Sequence, residues 1–402
     1  MSVIKILHTS NICLDHVLTD YHKGVRKDKR IELLESFDFI VNKAIQLEVN
    51  ALLIAGGIIS AGSVSLSTLD RIKAGFSRLT EKGIHVIAVP GCSDEKSDIS
   101  ILKELFSNKF MCFFSDEKWS VYQDIEGVNI YGIRSTFNRK NDNCLKDLVV
   151  GSDKVEIGIL YGTFYQTPVT TKISPITSQD LIKSNLDYLA LGHYENVVNC
   201  SVGKNICWYS GSPVHYSFNT FGERHVLLVS FKGKDAKVSR IKVPSRLQRV
   251  VHMDLNGKSF AQISQYVKRM TNTQLCLRVE LDGVWNPVNA QLAKDLEDML
   301  CDEFFHFEVC DNTLFEYTEN ILNFYEGRKS KDRDSGKKRG HDLSQIFLGK
   351  VQYTDNEQID NYSYCTNKTG TDNELNIMAS KLGLIALREV YEHENRKVVS
   401  MS

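Results

Sequence analysis

Two hydrophobic periods alternate along the first 245 residues of the chain. Short aliphatic or β-branched runs predict strands at 3–7, 51–55, 86–89, 128–133, 156–161, 188–191, 206–209, 226–231 and 238–243. Between the early runs the apolar residues are spaced by three and four. Leu33, Leu34, Phe37, Ile40, Val41, Ala44 and Ile45 share one face of a helix over 30–47, and shorter helices follow at 67–79 and 99–106. Strand and helix in turn are the pattern of α/β layers, because parallel neighbours need a crossover long enough to be helical.

Pro244 closes this region, and the pattern over 248–320 changes to strand, helix, strand, helix, strand. Its helices are expected at 259–270 and 290–300 and two of its strands at 275–281 and 305–310, a small α+β domain. The segment EGRKSKDRDSGKKRGHD, 326–342, has almost no apolar side chain and cannot offset its ordering entropy, so it reads as a basic linker. Two amphipathic stretches follow, 343–351 and 374–391. In the second, Leu375, Ile377, Met378, Leu382, Leu384, Ile385, Leu387 and Val390 form a broad apolar face. Such a tail has too few apolar residues for its own core and must dock on the body or on a partner. The expected organisation is a domain at 1–245, a second at 246–325, a linker at 326–342 and a helical tail at 343–402, with no internal repeat.

Composition narrows the function classes. A chain of 402 residues exceeds one hydrophobic core, and no apolar run approaches the roughly 20 residues of a membrane span. The start, MSVIKILHTS, lacks the charged, apolar and small-residue order of a signal peptide, which predicts a cytoplasmic protein. Ten cysteines without a CxxC pair are then expected to be thiols. With 49 basic against 50 acidic side chains, any nucleic-acid contact must come from a local patch. Two candidates exist: HKGVRKDKR at 22–30, with Lys23, Arg26, Lys27, Lys29 and Arg30, and the basic run at 328–339. Either holds a DNA backbone or is merely a solvated segment; Asp20 and Asp28 dilute the first.

Five strand ends carry short signatures in fixed order: HTSNICLD (8–15), IAGGIIS (54–60), VPGCSDE (89–95), LYGTF (160–164) and LGHYEN (191–196), followed by YSGSP at 209–213. Their order and spacing resemble the calcineurin-like metallophosphoesterases, and within them the nuclease subunit of SbcC–SbcD complexes and related DNA double-strand-break repair exonucleases. The resemblance covers roughly 1–320. It implies a two-layer β-sandwich flanked by helices, with a small α+β capping domain and a helical tail. In that family the signatures read approximately DxH, GD, GNHD, H and GHxH. They hold two divalent metals that clamp a phosphodiester and generate hydroxide at neutral pH.

Carried across by position, the resemblance implies that most of these groups are gone. Asn11 and Cys13 stand for the first Asp and His, and Gly57 for the bridging Asp. Cys92 and Ser93 stand for the amide ligand and the leaving-group His, leaving Asp94 of that motif, and Tyr161 stands for the fourth motif's His. His193 keeps its family form, but Glu195 replaces the second His of the last motif. Losing the carboxylates at 11 and 57 removes two negative charges that would neutralise a dinuclear cation site. No cofactor is expected, and the fallback is a softer site for zinc or manganese at Cys13, Cys92, His193 and Glu195. The plainer alternative is that the two thiols pack as small hydrophobes.

The resemblance therefore implies a non-catalytic relative of the repair exonucleases, a structural or regulatory subunit acting on DNA in repair or defence against foreign DNA. Its expected partners are an SMC-like coiled-coil ATPase, met through Leu375, Met378, Leu382 and Ile385, and the DNA backbone, with no membrane. Assembly as a homodimer, or as a heterodimer with an active paralogue, stays open. Two rivals also stay open: a phosphodiesterase or DNA nuclease with a site remodelled on Cys13, Cys92, Asp94, His193 and Glu195, and a protein-binding adaptor without nucleic acid.

Overall fold

Strand and helix alternate from the start: β1 (Ile4–Thr9), α1 (Arg26–Gln46), β2 (Ala51–Ala55), α2 (Leu66–Thr80), β3 (His85–Val89), the one-turn α3 (Cys92–Glu95), α4 (Ile99–Leu105) and β4 (Met111–Phe113). There follow β5 (Ser120–Tyr122), β6 (Val128–Gly132), β7 (Val155–Tyr161), β8 (Thr163–Tyr165), β9 (Pro175–Thr177), α5 (Ser178–Lys183), β10 (Tyr188–Gly192), β11 (Val198–Asn199), β12 (Ile206–Tyr209), β13 (His225–Lys232) and β14 (Asp235–Lys242). The computed structural model describes residues 3–313 apart from 61, 63, 97–98, 136–143, 166–173 and 285–291. The linker at 326–342 and the tail at 343–402, with Leu375, Met378, Leu382 and Ile385, lie outside the described residues.

The chain divides after Gln248 into two compact units. In the first, one six-stranded sheet runs β14-β13-β1-β2-β3-β4 and a second runs β11-β12-β10-β7-β6-β5. β1 to β4 are parallel, as are β12, β10, β7 and β6, while β13–β14, β11 and β5 join antiparallel at the margins. Ile6, Leu53, Ile87 and Val229 of the first sheet share one buried cluster with Val128, Ile130, Ile157, Ile159 and Ala190 of the second, so the sheets face each other across a common core. This is the two-layer sandwich that the resemblance implied, with the strand and helix order that the alternating pattern predicted.

The outer faces are closed by the helices. On α1, Leu33, Phe37, Ile40, Val41 and Ala44 are fully buried, and Gly75 lets α2 approach, since a Cβ there would lie 2.7 Å from the Phe37 ring. Ser65 caps α2 by accepting the Thr68 N–H at 3.2 Å, and Asp15 accepts the Ser65 N–H at 2.7 Å. The second sheet's outer residues Leu160, Leu189 and Leu191 pack under Leu145, Leu148 and Leu181.

One expectation is corrected. The segment 22–30 is not a free basic loop, because α1 begins at Arg26 and takes most of it into its first turns. Lys29 is 1% exposed, donates to the Glu32 carboxylate at 3.1 Å and lies 5.0 Å from the Tyr21 ring centroid, so it cannot reach a phosphate. Arg26 donates to the carbonyls of Tyr21 at 2.7 Å and Thr19 at 3.2 Å. Lys23, Lys27 and Arg30 remain exposed.

The second unit runs β15 (Leu247–Asp254), α6 (Phe260–Lys268), β16 (Asn272–Asp282), α7 (Leu292–Leu300) and β17 (Phe304–Asp311), with sheet order β15-β16-β17. Ile263, Val267, Leu292, Leu296 and Leu300 of its helices pack on Leu275, Leu277, Val279 and Leu281 of β16. Ser259 and Gln262 form a capping box that starts α6. Among the described residues no helix is long and apolar enough to cross a membrane.

Candidate functional site

Parallel strands deliver their following loops to one end of a sheet, and the turns after β1, β2, β3, β7 and β10 meet there. Asn11 donates its N–H to Gly56 O at 2.8 Å, Cys13 to Gly57 O at 2.8 Å and Leu14 to Ile58 O at 3.1 Å, so the first two loops lie side by side. Seven described non-glycine residues have positive φ, and four of them are here: Asn11 (50°), Cys13 (44°), Asp15 (62°) and His193 (111°). Asn and Asp tolerate that region, whereas Cys and His bear strain of the kind that clusters at functional sites.

Asp94 is fully buried and has no free lone pair to offer. Its Oδ2 accepts the Gly57 N–H at 2.7 Å and the Gly91 N–H at 2.8 Å, and its Oδ1 accepts the N–H groups of Ile58 at 2.9 Å and Ile59 at 3.0 Å. One carboxylate thus ties the β2 loop to the β3 loop. Burial pushes its pKa up to about 6 against the downward pull of those four donors.

Tyr161 ends the inward row Val155, Ile157, Ile159 of β7, and its ring lies over three glycines. A Cβ on Gly56 would come within 2.3 Å of the ring, one on Gly91 within 2.8 Å and one on Gly192 within 3.1 Å. The glycines kept at the strand ends therefore form a cradle that the phenol fills. Its hydroxyl sits 3.4 Å from His193 Nδ1, and Cys92 packs against the same core cluster.

The thiols are held protonated. Burial, reinforced by the Asp94 charge, pushes Cys13 up to about 12, and burial pushes Cys92 up to about 11. Cys13 Sγ lies 3.9 Å from Ser93 Oγ, and Asn11 Nδ2 donates to Tyr194 O at 3.2 Å. Burial raises the Glu195 carboxyl, with Arg224 pulling the other way. Arg224 is a residue that sequence reasoning missed. It is 2% exposed and braces the last loop by donating to Glu195 O at 2.8 Å, Asn196 Oδ1 at 3.0 Å and Phe221 O at 2.7 Å. Nothing in its flanking sequence marks it, because an arginine between Glu223 and His225 reads as surface.

The nine positions Asn11, Cys13, Gly57, Cys92, Ser93, Asp94, Tyr161, His193 and Glu195 are thus brought together, but not as a metal centre. Among the described residues no three His, Cys, Asp or Glu side chains converge so as to hold a metal ion. The fallback set Cys13, Cys92, His193 and Glu195 fails this requirement, and the Tyr161 hydroxyl lies 3.4 Å from His193 Nδ1. A two-metal centre does not fit this donor set. Gly57, the position that the resemblance assigns to a bridging carboxylate, has no side chain, Asp94 is saturated by amides, and an aromatic ring covers the glycine floor.

No protein-family model matches the chain. It is 24% identical over 254 residues to the uncharacterized metallophosphoesterase YhaO of Bacillus subtilis, spanning 61% of this chain and 62% of YhaO. It is 21% identical over 304 residues to the DNA double-strand break repair protein Mre11 of Methanosarcina mazei, spanning 70% of this chain and 46% of that protein. The chain thus matches less than two thirds of the length of either relative. Among solved structures, TT1561 of Thermus thermophilus is 14% identical with a TM-score of 0.40, over 60% of this chain and 99% of that one. With a sandwich whose strand ends gather the signature positions and with these relatives, the chain is a homologue of the metallophosphoesterases, Mre11 repair proteins among them.

Proposed function

We propose that this protein is a non-catalytic relative of the Mre11-type repair nucleases, a structural or regulatory subunit that works on DNA beside an ATPase partner. The observation that carries the reading is Asp94: both of its oxygens are committed to four backbone N–H groups, so the acidic side chain left in the third motif fastens loops. The Tyr161 ring over Gly56, Gly91 and Gly192 supports it, because this space is packed with carbon. The retained strand-end glycines and positive-φ positions fit a site descended from a working one, with shape kept and ligands replaced. The partner half of the proposal rests on the apolar face at Leu375, Met378, Leu382 and Ile385, which suits a groove on a coiled-coil ATPase of the SMC type.

The test is elemental analysis of the purified full chain together with nuclease assays in manganese. Substoichiometric metal and no cleavage above background are expected. Stoichiometric metal with hydrolysis abolished by His193→Ala would instead establish the remodelled phosphodiesterase. Co-purification with and without residues 341–402 addresses the partner, and an unchanged partner set after truncation refutes the tail's role.

A further inference from the structure

The outer margin of the first sheet carries a concentration of charge that no signature motif touches. β14 pairs with β13 alone, so one row of its backbone groups faces no described strand. Lys232, Lys234, Lys237, Arg240 and Lys242 are all exposed along this hairpin, against the single acid Asp235. In a chain with 49 basic and 50 acidic residues, five cations to one acid within eleven positions is a local stripe.

The strand is held firmly while the charges stay out. Ala236 and Val238 pack against the sandwich core, and the Arg240 guanidinium lies 5.2 Å from the Trp208 ring centroid, with Trp208 packed on the same core. Lys234 donates to Ser152 O at 2.7 Å, and Lys242 pairs with Glu223. Lys232, Lys237 and Arg240 pair with no carboxylate among the described residues. Alternate residues leave on opposite faces, so Lys237 and Arg240 flank the open backbone edge from either side. At about 3.4 Å per residue, Lys237 to Lys242 spans about 17 Å. Duplex DNA presents one charge per roughly 1.7 Å of axis, so such a row meets several phosphates, and the edge N–H groups add further donors. Lysines on an edge strand also deter edge-to-edge pairing. That task gives no reason to seat an arginine on a tryptophan.

We propose that the β13–β14 hairpin, centred on Lys232 at the end of β13 and on Lys237 and Arg240 of β14, is the surface on which this protein holds a nucleic-acid backbone. The inference rests on the DNA reading above and moves the contact away from the 22–30 segment, where Lys29 is buried and Arg26 is spent on carbonyls.

The experiment is fluorescence anisotropy of the full chain with a labelled 30-base-pair duplex, titrated between 50 and 200 mM KCl. Three to four phosphate contacts predict a log–log salt slope of about −3, and the triple variant K232E/K237E/R240E should bring it close to zero and weaken binding at least about tenfold at the lowest salt. The milder K237Q/R240Q should fall between, and unchanged thermal midpoints for both show that the fold is intact. K23E/K27E/R30E is expected to bind like wild type. Undiminished binding by the β14 variants overturns this surface while leaving the DNA reading standing, and loss confined to the 23–30 variant does the same. No binding by wild-type protein at 50 mM removes both. Preference for vesicles containing 30% phosphatidylserine over DNA, with the same variant sensitivity, overturns the nucleic-acid assignment.

Discussion

Placing a carboxylate at residue 57, where the resemblance implies a bridging aspartate, by Gly57→Asp is expected to damage the protein and to create no metal site. Gly57 has φ +70°, a left-handed conformation that costs an L-residue about 1–2 kcal/mol. Its new Cβ would stand 2.8 Å from Asn11 Cα and 3.2 Å from Asn11 N, backbone atoms that cannot swing aside. The Asn11 segment is fixed by the N–H of Asn11 on Gly56 O and of Cys13 on Gly57 O, both at 2.8 Å, so relief requires moving a loop, an overpacking cost of about 1–3 kcal/mol. The new carboxylate also arrives beside Asp94, whose Oδ2 already accepts the Gly57 N–H, and two like charges there disfavour ionisation of both. Together, strain and overpacking come to roughly 2–5 kcal/mol, a large share of a domain's 5–15 kcal/mol, before the charge is counted. Gly57→Ala isolates the backbone part, and the further loss in Gly57→Asp reports the charge. Urea unfolding in a Trp285→Phe background makes fluorescence report Trp119 and Trp208 of the first unit, and calorimetric titration with Mn²⁺ reads metal binding. A Gly57→Asp protein as stable as wild type that binds manganese stoichiometrically would refute the reasoning, because it would show the loops free to rebuild the site.

Asp94→Ala strands four buried N–H groups at about 1–3 kcal/mol each, so the first unit should fail to fold or lose most of its stability in urea, whereas Asp94→Asn, which keeps one acceptor oxygen, should fall between. Lys29→Ala leaves Glu32 buried beside Arg246 alone and should cost about 3–5 kcal/mol, against less than about 0.5 kcal/mol for exposed Lys27→Ala; equal effects would show that Lys29 is not buried. Acidification should destabilise the first unit. Burial holds His8 and His215 down to about 3, so the native state declines protons that the unfolded chain takes up, and stability present above pH 6.5 is lost as pH falls, by about 4 kcal/mol for the pair at pH 5. Asp94, raised to about 6, binds its proton more readily when native and returns roughly 1 kcal/mol over the same range. Urea midpoints at pH 7.5 and 5 check the sum, and His8→Leu should flatten the slope by up to about 1.4 kcal/mol per pH unit.

The layers of the fold were legible because burial imposes a period. β2 and β3 are buried on both sides and show as continuous apolar runs, and the α1 face shows as Leu33, Phe37, Ile40, Val41 and Ala44. β4, β8, β9 and β11 were not legible, since strands of two or three residues are too short to establish a period and owe their form to a neighbour. The start of α1 was misjudged because Arg26, Lys27, Asp28 and Lys29 read as a polar loop. Only the contacts of Lys29 with Tyr21 and with Glu32, which Arg246 also meets, anchor that polar stretch as a helical turn with Lys29 buried.

The amino-acid sequence by itself determined the α/β order, the placing of the signature positions at strand ends and the absence of a side chain at residue 57, for these are properties of spacing and identity. What the remaining groups do was decided in three dimensions. Asp94 is acidic in sequence, yet its role is set by four amides drawn from two loops. Tyr161 is a tyrosine in sequence, yet it is a plug because three glycines from three strands leave room for its ring. Likewise the charges of 232–242 count for little in a balanced composition and become a stripe only when β14 is the last strand of its sheet. Hydrogen bonding, exclusion of volume and exposure depend on neighbours distant in the chain, and tertiary structure is what supplies them.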